Sequence, residues 1–407
     1  MIRRNIVLIT LDSVRADHCS FMGYNRKTTP TIDKMARKGL YYENAIAASV
    51  PTPYSIFSSF TGHFPLVDTS TGHRPEIWRR EFKSKITIAS LLRQIGYSTI
   101  AVHKHPWASK YFGFDKGFEY FSDYDVKVGG WNSILENVLE VLTRKGKCVS
   151  WEDYYEEILE RVYKAKRPYF LWVFLLDTHW PCIPSDTRKL VLPSTLYLLY
   201  NYWCLSRRKW LYNKEIKIIK NAYDNSIRYA DTFIKRLWND LKEDDPVFII
   251  HADHGEGFGE HGFYAHPPML YEELIHIPLV IYNADIKGKI KEPVSLLSLS
   301  SSILELVGEE SRFPSESFLN GGKDWVISKV FDKGKRKIAV RMKEWKYIEG
   351  QKEKGELYNL RKDPTEQENL VNDYPNLVKE FKNIIRHHIE EEKRKIVKNH
   401  LRRVFSS

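Results

Sequence analysis

The sequence predicts an α/β fold, in which a mostly parallel sheet is flanked by helices and a small antiparallel α+β subdomain follows at the C-terminus. Apolar, strand-like runs alternate with helical patterns from the first residues to about residue 285, and this alternation is typical of a parallel sheet covered on both faces. From about residue 323 short, closely spaced strands follow instead. The chain has 407 residues, of which 43% are hydrophobic, so it can bury a large core.

Four apolar runs are predicted to be buried strands of the main sheet. They span residues 5–11, 98–102, 168–176 and 246–250. The polar residues that follow these strands closely are Asp12, the run His103-Lys104-His105, Asp177 with His179, and Asp253 with His254. Open α/β sheets bind their ligands at the carboxyl ends of parallel strands. The sequence therefore predicts a site at this edge of the sheet.

Helices are predicted where apolar residues recur on one face. Residues 29–36 match a capped amphipathic helix, and a second helix starts after Thr87 as its N-cap and stops before Gly96. Residues 223–241 carry apolar side chains at helical spacing. Together with the strands, these helices complete the alternating pattern.

The chain is predicted to divide into a catalytic α/β domain of residues 1–315 and a C-terminal subdomain of residues 316–407. The subdomain has predicted strands at residues 325–331, 337–342, 345–348 and 356–360, and a helix from residue 376 to a solvated basic tail. Residues 190–219 form an insertion rich in aromatic and basic residues. This insertion is either a lid that selects the substrate, since loops near sites carry specificity, or a segment whose aromatic side chains pack onto the main domain.

The net charge of +11 would suit nucleic acid, an anionic membrane surface or an acidic substrate. The basic residues are spread along the chain without a recognised nucleic-acid motif. A solvated basic surface is therefore favoured, and no specific nucleic acid partner is predicted. The oligomeric state stays open.

Cysteine usage and hydropathy indicate the cellular compartment in which we expect this protein. Four scattered cysteines form no CxxC pair, which favours a reducing environment. The longest apolar run, residues 169–176, is far shorter than the ~20 residues that span a bilayer, and no secretory signal precedes the first strand. We therefore expect a cytoplasmic protein without a transmembrane segment.

Six side chains are expected to gather above the carboxyl edge of the sheet: Asp12, Lys104, His179, Asp253, His254 and His266. Carboxylate oxygens combined with imidazole suit a divalent cation such as Mg²⁺, Mn²⁺ or Zn²⁺. Each residue alone has a simpler explanation, for example as a turn residue. The combination at one sheet edge carries the prediction of a metal site.

The segment from Ser49 to Ser55 offers a nucleophile. Thr52 followed by Pro53 is typical of a helix N-cap with proline at the first helical position. A hydroxyl there faces a helix N-terminus, whose partial charge of roughly half an elementary charge favours bound phosphate or sulfate. In isolation this pattern would indicate only a helix cap.

These segments resemble the sulfatase family of the alkaline phosphatase superfamily, nearly from end to end. Residues 5–18 resemble the first metal-ligand segment of the family, and residues 252–262 with 271–279 resemble the second. Residues 96–99 with 113–115, and 345–347 with 356–370, resemble its central segment and C-terminal signature. Several long motifs in the family's order make the resemblance specific, and it implies a metal-dependent ester hydrolase.

The nucleophile segment departs from the family pattern. Sulfatases carry a Cys or Ser that is converted to formylglycine, whereas the family's spacing from Thr61 places Thr52 at that position. Threonine there resembles the phosphodiesterase, phosphomutase and phosphotransferase branches, which use the hydroxyl directly. In addition, Ser13 stands where many sulfatases have a second aspartate, and His254 where many have asparagine.

The resemblance implies a set of site residues. The implied metal ligands are Asp12, Thr52, Asp253 and His254. The implied catalytic residues are Thr52, Lys104, His179 and His266. One divalent cation is favoured (Mn, Zn, Mg or Ca), while a second metal at Asp177, His179 or His266 stays an alternative. The expected reaction is hydrolysis of a small anionic ester through a covalent intermediate on Thr52, with phosphoesters and phosphodiesters favoured.

Two other functions fit the same sequence. One is a sulfuric ester hydrolase of the arylsulfatase type, which would use Thr52 or an unmodified Ser49. The other is a non-catalytic, polyanion-binding protein on the same fold, supported by the net charge and the altered nucleophile segment. All four implied metal positions hold a residue that can bind a cation, which argues against the non-catalytic alternative.

Overall fold

The computed structural model describes residues 3–123, 150–179 and 211–405, and for residues 395–405 it describes the backbone only. The helices in these ranges are α1 Pro30–Lys38, α2 Thr52–Thr61, α3 Pro75–Lys83, α4 Ile88–Gln94, α5 Tyr155–Lys164, α6 Asn213–Asp240, α7 Glu272–Ile275, α8 Leu299–Leu306 and α9 Pro375–Phe405. The strands are β1 Ile6–Leu11, β2 Leu40–Tyr42, β3 Ala45–Ile46, β4 Ser98–His103, β5 Tyr120–Ser122, β6 Tyr169–Leu175, β7 Val247–Ala252, β8 Gly257–Phe258, β9 Tyr264–Ala265, β10 His276–Ile277, β11 Leu279–Tyr282, β12 Gly288–Ile290, β13 Val294–Ser295, β14 Trp325–Asp332, β15 Lys335–Met342, β16 Trp345–Gly350 and β17 Glu356–Asn359.

An eight-stranded sheet forms the centre of the molecule, in the order β12-β2-β11-β7-β1-β6-β4-β5. Strand β11 runs antiparallel to both of its neighbours, and the other pairings in this sheet are parallel. Strands β1, β6 and β7 are buried along their whole length, because helices cover both faces of such a sheet. The predicted α/β fold is confirmed.

The register of three central strands brings the strand ends together. Leu11 of β1 lies opposite Leu175 of β6 and Ala252 of β7. The next residues of β1 and β7, Asp12 and Asp253, therefore leave the sheet side by side at its carboxyl edge.

The predicted helices are present with small changes at their ends. Thr87 caps α4, since its hydroxyl accepts a hydrogen bond from the Ser90 N–H at 3.1 Å. Helix α6 begins at Asn213, ten residues before the predicted start at residue 223. Residues 213–219 of the predicted insertion thus belong to this helix, and its residues 190–210 lie outside the described part of the chain.

The C-terminal strands form a separate antiparallel sheet in the order β14-β15-β16-β17, as predicted. Helix α9 packs on this sheet through Val378, Phe381 and Ile385. The division between residues 315 and 316 stays a prediction. Among the described helices, none combines the length and the apolar character that crossing a membrane requires.

Candidate active site

Two fully buried carboxylates stand next to each other at the carboxyl edge of the main sheet. Asp12 follows β1 and Asp253 follows β7, and both are 0% exposed. Between them lies Ser13, whose φ of 57° is in the left-handed region that few non-glycine residues adopt. This turn directs the Ser13 N–H to Asp253 Oδ1 at 3.0 Å, while the Ser13 hydroxyl donates to Asp12 Oδ1 at 2.8 Å. Ser13 therefore supplies hydrogen-bond donors where a second aspartate would supply another charge.

His254 is oriented by its own loop. Its Nδ1 lies 2.8 Å from the Gly255 carbonyl oxygen, so Nδ1 carries the hydrogen and Nε2 presents its lone pair to the site. The loop passes tightly beneath α7, because a Cβ at Gly255 would lie 2.0 Å from the Glu273 carbonyl oxygen. Glycine is therefore required for His254 to stand where it does.

Thr52 is the first residue of α2, one position later in the helix than the N-cap that the sequence predicted. Its Oγ1 lies 3.0 Å from His254 Nε2. Helix α2 is tied to the end of β7 by Ser55, whose hydroxyl donates to the Asp253 carbonyl oxygen at 2.6 Å. The hydroxyl of Thr52 is thus held at the N-terminus of a helix and beside the buried acids.

The electrostatics of this cluster favour a cation. Burial, and then the charge of Asp12, raises the pKa of Asp253 to about 8. Burial also disfavours the charged form of Asp12, but the neighbouring imidazoles of His179 and His105 outweigh it and hold the pKa of Asp12 far below its usual range. Two carboxylates this close cannot both ionise without a compensating positive charge.

The donor set fits a divalent cation. One ligand atom from each of Asp12, Asp253 and His254 lies within 4.8 Å of the others. Asp253 Oδ2 is buried and has no hydrogen-bond partner in the ranges that the structure describes, although buried polar atoms are normally paired. Carboxylate oxygens and an imidazole nitrogen are the ligand types that Mn²⁺, Zn²⁺ and Mg²⁺ accept in combination. Thr52 Oγ1 is the fourth atom available to such an ion.

Three further imidazoles surround the acids. His105 Nε2 lies 2.7 Å from Asp12 Oδ2. The ring of His266 lies 4.6 Å from the ring of His254 and 5.1 Å from that of His179, measured between centroids. Burial lowers the pKa of His179 to about 3. Burial acts in the same direction on His266, but the Glu256 carboxylate outweighs it and raises the pKa of His266 to about 9.

The structure brings together most of the predicted site residues. Those that meet at the sheet edge are Asp12, Thr52, His179, Asp253, His254 and His266. Asp177 does not join them: its Oδ1 accepts the Trp151 backbone N–H at 3.1 Å, and among the described residues it belongs to no cluster of three metal-type ligands.

Lys104 also lies apart from the site, contrary to the prediction. Its ammonium donates to the Ser122 hydroxyl at 2.9 Å and lies 3.7 Å from Glu157. Successive residues of an extended segment point to opposite faces, so when His105 faces Asp12 its neighbour Lys104 faces away. His105 is thus the side chain that the sequence reasoning missed, although its place in the run after β4 and the alternation of that run could have identified it.

Comparison with known proteins identifies the class of this protein. The fold is alkaline-phosphatase-like, and the relatives show an ester hydrolase. The chain belongs to the sulfatase family, whose sequence model matches residues 4–309, so the predicted resemblance is confirmed. Enzymes of this family depend on a metal ion.

Several relatives match the chain over most of its length. It is 22% identical over 499 residues to an N-acetylgalactosamine-6-O-sulfatase of Bacteroides thetaiotaomicron, covering 94% of this chain and 92% of that protein. It is 25% identical over 443 residues to an arylsulfatase of Clostridium perfringens, covering 90% of each. The fold superposes with a TM-score of 0.73 on a phosphonate monoester hydrolase of Agrobacterium radiobacter at 18% identity, covering 95% of this chain and 96% of that one.

Proposed function

We propose that this protein is a single-metal hydrolase of phosphorus esters that uses Thr52 as its nucleophile. The observation that carries the proposal is the position of Thr52 Oγ1, 3.0 Å from His254 Nε2 in a buried cluster with Asp12 and Asp253. The metal ligands are Asp12, Thr52, Asp253 and His254. A bound divalent cation would lower the pKa of the Thr52 hydroxyl, so that its proton is lost to water before the attack.

Substrate would bind with its phosphoryl group at the N-terminus of α2. There the helix dipole and the imidazoles of His179 and His266 face its oxygens, which gain charge in the transition state. Thr52 Oγ attacks phosphorus in line, a Thr–O–P bond forms, and the bond to the leaving oxygen breaks. That oxygen takes a proton from an imidazole of the site. Water then attacks the phosphothreonine, releasing the acid and restoring Thr52.

Threonine favours phosphorus esters over sulfate esters in this proposal. A threonyl ester can be cleaved only by a second displacement at phosphorus or sulfur, because its side chain carries no second hydroxyl that could expel the group. A phosphate dianion also carries more charge than a sulfate monoanion, which suits a site that combines a cation with several imidazoles. Sulfate esters remain the second candidate, because the curated relatives named above are sulfatases.

The test is hydrolysis of matched 4-nitrophenyl esters: sulfate, phosphate monoester, phosphodiester and phosphonate monoester. The metal-loaded protein is compared with a chelated sample, Thr52→Ala and Thr52→Ser. We expect a phosphorus ester to be hydrolysed fastest, Thr52→Ala to lose roughly 10³-fold or more in kcat, and Thr52→Ser to retain part of it. A sulfate preference would establish the second candidate, and substantial activity of Thr52→Ala would refute the nucleophile assignment.

A further inference from the structure

Glu256 is a buried carboxylate that the proposed chemistry leaves unused. It is 1% exposed and stands in the loop between β7 and β8, two residues after His254. Its Oε2 lies 3.3 Å from His266 Nδ1. Its Oε1 is buried and has no hydrogen-bond partner among the described residues.

The strand pairing determines why Glu256 meets His266. In the β8–β9 hairpin, Gly257 lies opposite Ala265 and Phe258 opposite Tyr264. Glu256 directly precedes β8 and His266 directly follows β9, so the two residues leave the hairpin at the same end. The hairpin thereby brings this carboxylate to this imidazole.

Glu260 shows how a purely structural carboxylate of the same segment is paired. Its Oε1 receives Arg15 at 2.8 Å and Lys220 at 3.0 Å, and its Oε2 accepts the Phe258 N–H at 2.6 Å. Both oxygens are therefore satisfied by cations or backbone donors. Within the described parts of the chain, the Glu256 carboxylate has by contrast a single hydrogen-bond partner, which is an imidazole of the candidate site.

The contact fixes the orientation of the His266 ring. With Nδ1–H donating to the Glu256 carboxylate, Nε2 is the nitrogen left to meet a bound ester. The His254 and His179 rings, 4.6 and 5.1 Å away by centroids, bound the space into which His266 faces. A carboxylate behind an imidazole is the arrangement that sets tautomer and direction in general acid–base catalysis.

We propose that Glu256 is a positioning residue that aims His266 Nε2 at the leaving oxygen of the substrate. The inference rests on the proposed function and extends it to esters of poorly leaving alcohols. As the bond between phosphorus and the leaving oxygen breaks, its electron pair stays on that oxygen, which takes the Nε2 proton and departs as a neutral alcohol. An alkyl alcohol needs this proton, whereas 4-nitrophenolate leaves readily without it.

The test compares two esters of one acid, taken from the group that the metal-loaded wild type hydrolyses fastest. One ester has 4-nitrophenol as its leaving group and the other has ethanol. Glu256→Ala is expected to lower kcat on the ethyl ester by roughly 10- to 100-fold and on the nitrophenyl ester by about threefold or less, with KM little changed. Glu256→Gln keeps an acceptor oxygen, so its kcat on the ethyl ester should lie between that of Glu256→Ala and that of the wild type.

Two further variants make the outcome decisive. The double variant Glu256→Ala/His266→Ala should be no slower on the ethyl ester than His266→Ala alone, because residues that act as a unit are not additive. Glu260→Gln is the matched control and should leave the ratio of the two rates unchanged. Equal losses on both esters, or a loss that adds to that of His266→Ala, would overturn the proposal.

Nuclear magnetic resonance of histidine-labelled protein distinguishes a failure of this inference from a failure of the proposed function. In the metal-loaded wild type, nuclear magnetic resonance should show a protected Nδ1 proton on His266 that disappears in Glu256→Ala. An absent signal in the wild type would refute the positioning role even if the esters are hydrolysed. If no ester is hydrolysed but the signal is present and depends on Glu256, the proposed function fails while the contact stands.

Discussion

Two buried groups of acids in this molecule differ in what neutralises them. At the carboxyl edge of the main sheet, Asp12 and Asp253 face each other and imidazoles. At the junction between α7 and the C-terminal sheet, Glu272 is joined to Arg341 at 3.1 Å and to Lys346 at 3.1 Å. Lys346, which is 0% exposed, also lies 2.8 Å from Glu366.

One acid of each group, Glu272 at the junction and Asp253 at the sheet edge, has its pKa shifted in the opposite direction from the other. Burial is the largest influence on both Glu272 and Asp253, and it disfavours the charged form of each. At Glu272 the charges of Arg341 and Lys346 outweigh burial and hold the pKa well below its usual range. At Asp253 the charge of Asp12 adds to burial, and the pKa rises to about 8.

The comparison distinguishes two charge clusters. The closed cluster consists of Glu272, Arg341, Lys346 and Glu366 at the junction, and the open cluster consists of Asp12 and Asp253 with the neighbouring imidazoles. The junction contains its own cations, and their ion pairs with Glu272 and Glu366 fasten the C-terminal sheet to the main domain. The sheet edge carries two buried acids and an Asp253 oxygen that has no hydrogen-bond partner among the described residues, which suits the cation that we propose for this site. The same residue type thus serves as a structural tie in one place and, in the proposed function, as a metal ligand in the other.

Removing one charge from each cluster should have opposite effects on stability. Lys346→Met leaves the Glu366 carboxylate buried without its cation and should lower the free energy of unfolding by about 3–5 kcal/mol. Asp253→Asn keeps the Oδ1 acceptor for Ser13 and removes the repulsion with Asp12. In metal-free protein it should therefore unfold at no lower denaturant concentration than the wild type. Denaturant melts of the three proteins measure this, and a loss of similar size in both variants would remove the distinction.

Metal addition should stabilise the protein through the open cluster alone. At a free Mn²⁺ concentration one hundred times its Kd, the wild type should gain about 2.7 kcal/mol in the free energy of unfolding, and a chelator should reverse the gain. Asp253→Asn should lose most of this gain because a ligand is missing, whereas Lys346→Met should keep it in full. A wild type whose melting is unchanged by Mn²⁺, Zn²⁺, Mg²⁺ and Ca²⁺ would contradict the assignment of the open cluster as a metal site.

Acid titration should reveal a paired carboxylate close to the site. Burial opposes the ionisation of Glu260, but Arg15 and Lys220 outweigh it and lower its pKa to about 2. A depressed folded pKa gives stability that is complete above the unfolded value of 4.5 and is lost as the pH falls toward 2. We expect Glu260→Gln to reduce this acid-dependent loss by roughly 1–3 kcal/mol, measured by thermal melts from pH 6 to pH 2. Parallel curves for variant and wild type would show that Glu260 is not paired in this way.

The sequence was sufficient for the main sheet and most of the open cluster. Apolar runs located β1, β6 and β7, and because their ends are in register, the residues after them, Asp12 and Asp253, had to meet. Thr52 was located by its position relative to the family motif and by the following proline. Apolar runs, the family motif and the rule that parallel strands end at one edge of the sheet thus account for these residues.

Other features depended on contacts that no local pattern contains. Lys346 and Glu272 are separated by 74 positions and meet only because the C-terminal sheet docks beside α7. The early start of α6 was missed because residues 213–219 were assigned to the insertion, although Ile216 and Ile219 continue the apolar face of the helix.

The smallest expected effect concerns Ser55, which connects the nucleophile helix to the open cluster. Its hydroxyl donates to the Asp253 carbonyl oxygen at 2.6 Å, so Ser55→Ala leaves a buried acceptor unpaired and should cost about 1 kcal/mol. Because Thr52 then shifts relative to the metal ligands, kcat should fall about tenfold.

Ser58→Ala is the matched control for this contact. Its hydroxyl donates within α2 to the Tyr54 carbonyl oxygen at 2.8 Å, a local bond that alanine replaces at little cost. We expect a change within about 0.5 kcal/mol and an unchanged kcat, checked by melts and by turnover of the fastest ester. If both variants lose activity equally, helix packing explains the effect. If only Ser55→Ala does, the bond between Ser55 and Asp253 is what aligns Thr52 with the metal ligands.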